Sequence, residues 1–258
     1  MSLRFAQVPR HDVVAGEEAD TAQKSQSQGQ VQGPPEVSSP GQEPGPQEER
    51  ARSSPRAGTA PGLIDQLAER GFGVVDDFVD AALLTQLRWR CSELQASGAL
   101  RPARVGRGAK ERLAPEVRGD FIAWLQQPER DAEQALLAKL DELRVALNRS
   151  LMTGLEDFQG HFAVYPPGAA YGRHFDRLQG SDLRAISAAL YLNDAWLPED
   201  GGQLRMYLGG GRSEDVVPVG GRLVAFLSDR FEHEVLPARR ERMSFTGWFR
   251  RRSLDGFV

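Results

Sequence analysis

The chain has 258 residues, 40% of them hydrophobic and 26% charged, with a formal net charge of -4. Such a chain is long enough for one or two domains of ordinary soluble globular composition. The mild acidity excludes the basic field of a nucleic-acid binder, no apolar run approaches a membrane span, and the single cysteine, Cys91, excludes an internal disulfide. The first ten residues have no continuous apolar core, so no signal peptide is expected. These features lead us to expect a cytoplasmic protein without nucleic-acid or membrane partners, with Cys91 as a small buried hydrophobe.

Residues 14–61 are dominated by Gln, Pro, Gly, Ser and Glu, and no aromatic residue lies between Phe5 and Phe72. A segment of this kind buries too little apolar surface to offset its ordering entropy and reads as a disordered tail. The division is therefore a tail over 1–61 and one folded domain over 62–258. LIDQLAER before Gly71 predicts a short helix, and FGVVDDF a short strand. Leu83, Leu84, Leu87, Cys91 and Leu94 recur at helical spacing and predict a helix over 81–95. The Arg- and Gly-rich stretch 101–119 reads as a mobile loop. Leu136, Leu137, Leu140, Leu143, Leu147 and Leu151 mark one face of a long helix over 131–152.

Beyond Phe158 the pattern changes to strands, predicted over 158–165, 171–176, 184–193, 202–208, 215–218, 222–228, 232–236 and 241–250. Turn signals such as Pro166-Pro167-Gly168, Gly201-Gly202 and Gly209-Gly210-Gly211 separate them. Many short strands after a helical first half predict an α+β chain. Its core would be a double-stranded β-helix, an antiparallel barrel of jelly-roll type, with supporting N-terminal helices.

In Tyr171-Gly172-Arg173-His174-Phe175-Asp176, His174 and Asp176 stand two apart on a strand and so face the same way. Together they offer an imidazole nitrogen and a carboxylate oxygen to one cation. His233 in the late strand 232–236 is the candidate third ligand. Two histidines and one carboxylate are the facial triad of non-haem iron(II) oxygenases. By itself a His-x-Asp pair is common, and a strand histidine is more often a hydrogen-bonded wall residue, the reading given to His161 beside Ala163 and Tyr165.

Arg242 adds weight. Pro237-Ala238-Arg239-Arg240 looks like the turn of a hairpin, which would set His233 against the region of Arg242. Alternation places Arg242, Ser244, Thr246 and Trp248 on one face of the last strand, with Met243, Phe245 and Phe249 on the other. An arginine aimed into a barrel beside a metal needs an anionic partner, and the distal carboxylate of 2-oxoglutarate fits its guanidinium fork.

Several stretches, in order and spacing, now resemble the prolyl 4-hydroxylases, in particular the oxygen-sensing (hypoxia-inducible-factor-type) prolyl hydroxylases and their bacterial relatives. They are Val117-Arg118-Gly119-Asp120 with Trp124, Tyr165-Pro166, the stretch from Tyr171 to Asp176, Arg184, Tyr191-Leu192-Asn193, the stretch from Gly201 to Arg205, Leu227 to Arg230, His233-Glu234-Val235 and Arg242 to Trp248. The resemblance covers roughly residues 63–250. It implies Fe(II) on His174, Asp176 and His233, and 2-oxoglutarate held by Arg242 and Tyr191, with Tyr165 lining its pocket. It places Arg184 and Trp248 near the mouth where a substrate proline enters, and Arg118 and Asp120 at the end of a loop closing over the bound peptide.

The implied reaction is hydroxylation of a peptidyl proline at C4 with O2, in which 2-oxoglutarate becomes succinate and CO2. L-ascorbate is a candidate reductant, and no catalytic residue is needed beyond the metal ligands. The implied partner is a protein containing the target proline. The sequence departs from the animal enzymes in a Tyr165–His174 loop one residue shorter and in Ala189 where they carry a larger aliphatic. Two alternatives stand beside this reading: an oxygenase acting on a free amino acid or small metabolite, towards which Ala189 points, and a non-catalytic jelly-roll binding module. The target protein, oligomeric state and role of the tail are left open.

Overall fold

The computed structural model describes residues 60–106, 111–176 and 183–252. The proposed tail up to residue 59 and positions 107–110 of the proposed mobile loop lie outside the described residues. Three helices come early: α1 (Ala60–Arg70), α2 (Ala81–Ala96) and α3 (Asp131–Leu151). The strands are β1 (Phe72–Val75), β2 (Arg101–Pro102), β3 (Phe121–Trp124), β4 (Leu155–Tyr165), β5 (Tyr171–His174) and β6 (Arg184–Tyr191). They continue with β7 (Leu204–Gly209), β8 (Arg212–Val216), β9 (Leu223–Leu227), β10 (His233–Val235) and β11 (Arg242–Arg251).

Among the described residues the strands form two antiparallel sheets. One has seven strands in the order β1-β9-β6-β11-β4-β3-β2, the other four in the order β5-β10-β7-β8. This is the jelly-roll arrangement expected from the strand pattern. The large sheet is covered on both faces, and alternation divides its side chains between them. Phe162 and Val164 of β4, Ala188 and Leu190 of β6, Leu223 and Ala225 of β9, and Phe245 and Phe249 of β11 pack in one cluster with the helices. Their neighbours Ala163, Tyr165, Ala189, Tyr191, Val224 and Phe226 pack instead with Leu204, Met206 and Val235 of the small sheet. The site is built in this second layer.

The helices begin and end where local chemistry dictates. Asp80 caps α2 by accepting the Leu83 N–H at 2.8 Å. On α3 the leucine face is buried at Leu136, Leu140, Leu143 and Leu147. Met152, at a left-handed φ of 52°, closes that helix, and the Asn148 side chain binds both the N–H and the carbonyl of Leu155 to launch β4. Between α2 and α3 the buried Arg90 donates to Glu133 at 2.7 Å, and Glu133 in turn accepts the Glu129 and Arg130 N–H groups at the start of α3.

Three expectations need correction. The stretch 101–119 is not wholly loop: it opens with β2, and β3 follows it and pairs with β4. Strand 171–176 ends at His174, so Asp176 lies past it. The hairpin joining 232–236 to 241–250 does not form: β10 pairs with β5 and β7 in the small sheet, and β11 with β4 and β6 in the large one. The backbone of the connection bonds outward, Leu236 N–H to the Gln203 carbonyl and Arg239 N–H to the Asp200 carbonyl. It is a crossover between sheets, and it brings His233 and Arg242 to opposite walls of one cavity.

Candidate metal and cosubstrate site

The small sheet supplies one end of the site. β5 and β10 lie side by side with His174 in register with His233. Asp176 turns its carboxylate between the two rings, Oδ1 3.8 Å from His174 Nε2 and Oδ2 3.6 Å from His233 Nε2. One ligand atom from each of the three lies within 4.8 Å of the others. Nδ1 of His174 sits 2.7 Å from the Gly172 carbonyl and Nδ1 of His233 3.3 Å from the Phe231 carbonyl. A proton on Nδ1 satisfies those carbonyls and leaves both Nε2 lone pairs for a cation. Burial, with His233 nearby, lowers His174 to about 4, so the ring is neutral near pH 7. Burial works to raise the Asp176 carboxyl, but His233, His174, the Ser187 hydroxyl and Arg184 together hold it below its ordinary value. A neutral His174 beside an ionised carboxylate is the pairing of protonation states a divalent cation requires.

The large sheet supplies the other end. Arg242, at the start of β11, is buried, and its guanidinium lies over the rings of Tyr165 at 5.1 Å and Tyr191 at 5.0 Å. Its Nε donates to the Gly202 carbonyl at 2.9 Å. Gly202 has a φ of +68°, and a Cβ there would stand 3.1 Å from Arg242 Cδ, so a side chain would crowd the arginine. Among the described residues no carboxylate is within ion-pair distance of Arg242, and the buried Tyr191 hydroxyl beside it has no partner of hydrogen-bond geometry. A buried cation next to an orphaned hydroxyl is a receptor for a carboxylate.

The remaining predicted residues stand around these two ends. Tyr165 lines the inner cavity, its hydroxyl pushed well up by burial. The Arg184 guanidinium stacks on the Trp248 indole at 3.5 Å and reaches the Asp176 carbonyl at 3.4 Å. Arg118 and Asp120 are joined by two hydrogen bonds of 2.7 and 3.0 Å, and both line the cavity, with Asp120 buried. Residues not assigned to the site from sequence also belong to it, Tyr171 and His161 among them. Tyr171 lies between Arg118, whose guanidinium is 4.7 Å from its ring, and His174, on which it stacks at 3.7 Å. This makes a packed chain from Asp120 to His174. His161, read from sequence as a structural wall residue, lines the cavity too. It shares a strand face with Tyr165, and that shared period was the signal in the sequence.

The inner cavity has a volume of about 60 Å³ and opens onto an outer groove of about 710 Å³. Arg118, His161, Tyr171, His174, Asp176 and Trp248 line both and form the throat between them. One water needs roughly 10–15 Å³ on this measure, so the inner space takes a small ligand and the groove something larger. The donor set of two imidazoles and one carboxylate fits iron(II), and it borders the cavity. Arg242 and Tyr191, at its far end, fit a carboxylate.

Fold and site together define the class of the non-haem iron oxygenases that use a 2-oxo acid. Residues 160–250 match the 2OG-Fe(II) oxygenase superfamily. Over 195 residues the chain is 32% identical to human prolyl hydroxylase EGLN3, covering 72% of this chain and 81% of the relative. A *Pseudomonas putida* prolyl-4-hydroxylase structure is 47% identical with a TM-score of 0.69, covering 76% of this chain and 100% of the other. A *Trichoplax adhaerens* prolyl hydroxylase, solved with a hypoxia inducible factor oxygen degradation domain peptide fragment, is 29% identical with a TM-score of 0.67, covering 74% and 88%. The chain belongs to the prolyl hydroxylases of the 2OG-Fe(II) oxygenase superfamily, and its cofactors are Fe(II), 2-oxoglutarate and O2. Among the described residues no helix is long and apolar enough to cross a membrane.

Proposed function

We propose that the protein hydroxylates C4 of a proline in a peptide segment that lies in the outer groove and inserts its pyrrolidine ring through the throat. The observation that carries this is the pairing of a small inner cavity, with a metal triad at one end and Arg242 with Tyr191 at the other, to an open groove walled by Trp124 and Trp248. In this reading His174, Asp176 and His233 hold the iron. Arg242 and Tyr191 grip the distal carboxylate of 2-oxoglutarate, which orients its 2-oxo acid end towards the metal, while Tyr165 closes the pocket side. Bound iron with 2-oxoglutarate and O2 supplies the oxidation: one oxygen atom ends in succinate, the other in the new hydroxyl group, and CO2 leaves. The apolar rings of Trp248 and Tyr165 keep bulk water from the reacting carbon. Arg184 stacked on Trp248 sets the indole plane against which the proline ring packs. The chain Asp120–Arg118–Tyr171 buttresses His174 from the groove side. L-ascorbate would serve as the reductant that keeps the iron ferrous between turnovers.

The groove also favours a protein partner over a free metabolite, because a metabolite would leave most of that surface open. The test is incubation of the protein with cell lysate, Fe(II), 2-oxoglutarate and ascorbate, followed by mass spectrometry of proline-containing peptides. The expected result is the mass of one added oxygen on specific prolines, absent with His174→Ala. Succinate formation with no hydroxylated proline in any peptide would contradict the reading.

A further inference from the structure

We propose that His161 is a substrate-positioning residue whose Nδ1 forms a hydrogen-bond subsite for a main-chain amide next to the target proline; this rests on the peptidyl-proline reading above. His161 sits mid-strand on β4, in register with Trp124 of β3 on one side and Thr246 of β11 on the other. Its ring lies 4.7 Å from the Trp124 ring and 5.8 Å from that of Trp248. Only 2% of the residue is exposed, and Nδ1 has no hydrogen-bond partner among the described residues. The adjacent indole Nε1 of Trp248 is buried and unpartnered as well. Buried polar atoms in folded proteins are paired almost without exception, so two orphans in one throat point to a partner that arrives with the substrate. A wall residue whose only task was to fill this space between two tryptophans would do so at no polar cost as Leu or Met.

The chemistry narrows the partner. Burial lowers His161 to about 3, so the ring is a neutral imidazole with one donor and one acceptor nitrogen. The Trp248 indole is a donor only. A proline has no amide N–H of its own, so a backbone presented around it offers carbonyl oxygens and the N–H of the following residue. An indole donor beside an amphoteric imidazole matches such a set, whereas two ammonium groups would not be met by this pair. Because His161 borders both the inner cavity and the outer groove, a hydrogen bond there sets how deep the proline enters.

The experiment compares His161→Leu and His161→Asn with wild type. The Asn side-chain amide stands as many bonds from Cα as Nδ1 does, so it restores a polar atom at that place. The probe is a library of twelve-residue peptides with a central proline and randomised flanks. A member hydroxylated by wild type then serves for kinetics and for binding to the Mn(II)-substituted enzyme with 2-oxoglutarate. His161→Leu is expected to raise the peptide KM and weaken peptide binding about tenfold, while the KM for 2-oxoglutarate does not follow, and His161→Asn to recover most of the loss. If His161→Leu does not fold, His161→Met replaces it as the apolar variant. An apolar variant equal to wild type in peptide KM and binding, or an Asn variant no better than the apolar one, overturns the proposal. A wild type that turns over 2-oxoglutarate but hydroxylates no member overturns the peptidyl-proline reading itself, and this inference with it.

Discussion

The two faces of the seven-stranded sheet come from the same strands and differ in one respect. The outer face, Phe162, Val164, Leu190, Phe245 and Phe249, is apolar and closed by the helices. The inner face carries His161, Tyr191, Ser244, Thr246, Trp248 and Arg242, and all three buried side-chain atoms without partners among the described residues, His161 Nδ1, Tyr191 Oη and Trp248 Nε1, belong to it. A fold tolerates unmet polar atoms of this kind where a ligand meets them. One face is finished by folding and the other by binding, so substitutions on them should separate stability from ligand affinity.

The largest expected effect is at the metal end. His233→Ala removes one of the three residues placed to hold a metal, and iron binding with 2-oxoglutarate turnover should fall to background in an anaerobic iron titration and a succinate assay. The melting temperature of the iron-free protein should change little by comparison. Next in size is the outer face. Phe249→Ala opens a hole in the helix-packed cluster and should cost about 3–5 kcal/mol in denaturant unfolding. Its KM for 2-oxoglutarate, measured on the folded fraction, should stay near wild type. If Phe249→Ala shifted that KM strongly, the separation of faces would break.

A pH profile of stability sharpens the comparison. His161 and His174 are both held neutral, their folded values lowered to about 3 and about 4. A histidine with a lowered folded value gives stability that is complete above its unfolded value near 6.5 and is lost as pH falls towards the folded value. Between about pH 4 and 6, His161→Leu should therefore flatten the slope of unfolding free energy by up to ~1.4 kcal/mol per pH unit. Equal slopes in wild type and variant would show that His161 is protonated in the folded state. The smallest effect is expected at Tyr191→Phe, which deletes one hydroxyl from the carboxylate end. It should raise the KM for 2-oxoglutarate by roughly 2–10-fold and leave iron binding unchanged.

Much of this was legible in the chain. Leucine spacing gave α2 and α3, turn residues separated the strands, and the period of two sorted β11 into Arg242, Ser244, Thr246 and Trp248 against Met243, Phe245 and Phe249. His174, Asp176 and His233 stood out as a candidate set through their ligand chemistry, although Asp176 lies past the end of β5 and not on it. The connection between His233 and Arg242 could not. Pro237-Ala238-Arg239-Arg240 suits a hairpin turn and a crossover equally, and only the distant partners Gln203 and Asp200 decide between them. β3 escaped notice because four residues beside an Arg- and Gly-rich stretch become a strand only through pairing with β4. Tyr171 and His161 were visible as residues, but their place in the site depends on which neighbours fold against them.

The central claim is that one end of the inner cavity is a metal site and the other a carboxylate site. The most direct measurement is an anaerobic calorimetric titration of the metal-free protein with Fe(II), then with 2-oxoglutarate, comparing wild type with Arg242→Met. The account predicts one iron per chain in both proteins, with 2-oxoglutarate affinity reduced about a hundredfold in the variant by loss of the charged hydrogen bonds. Equal 2-oxoglutarate affinity in the two proteins, or failure of wild type to bind iron, would contradict it.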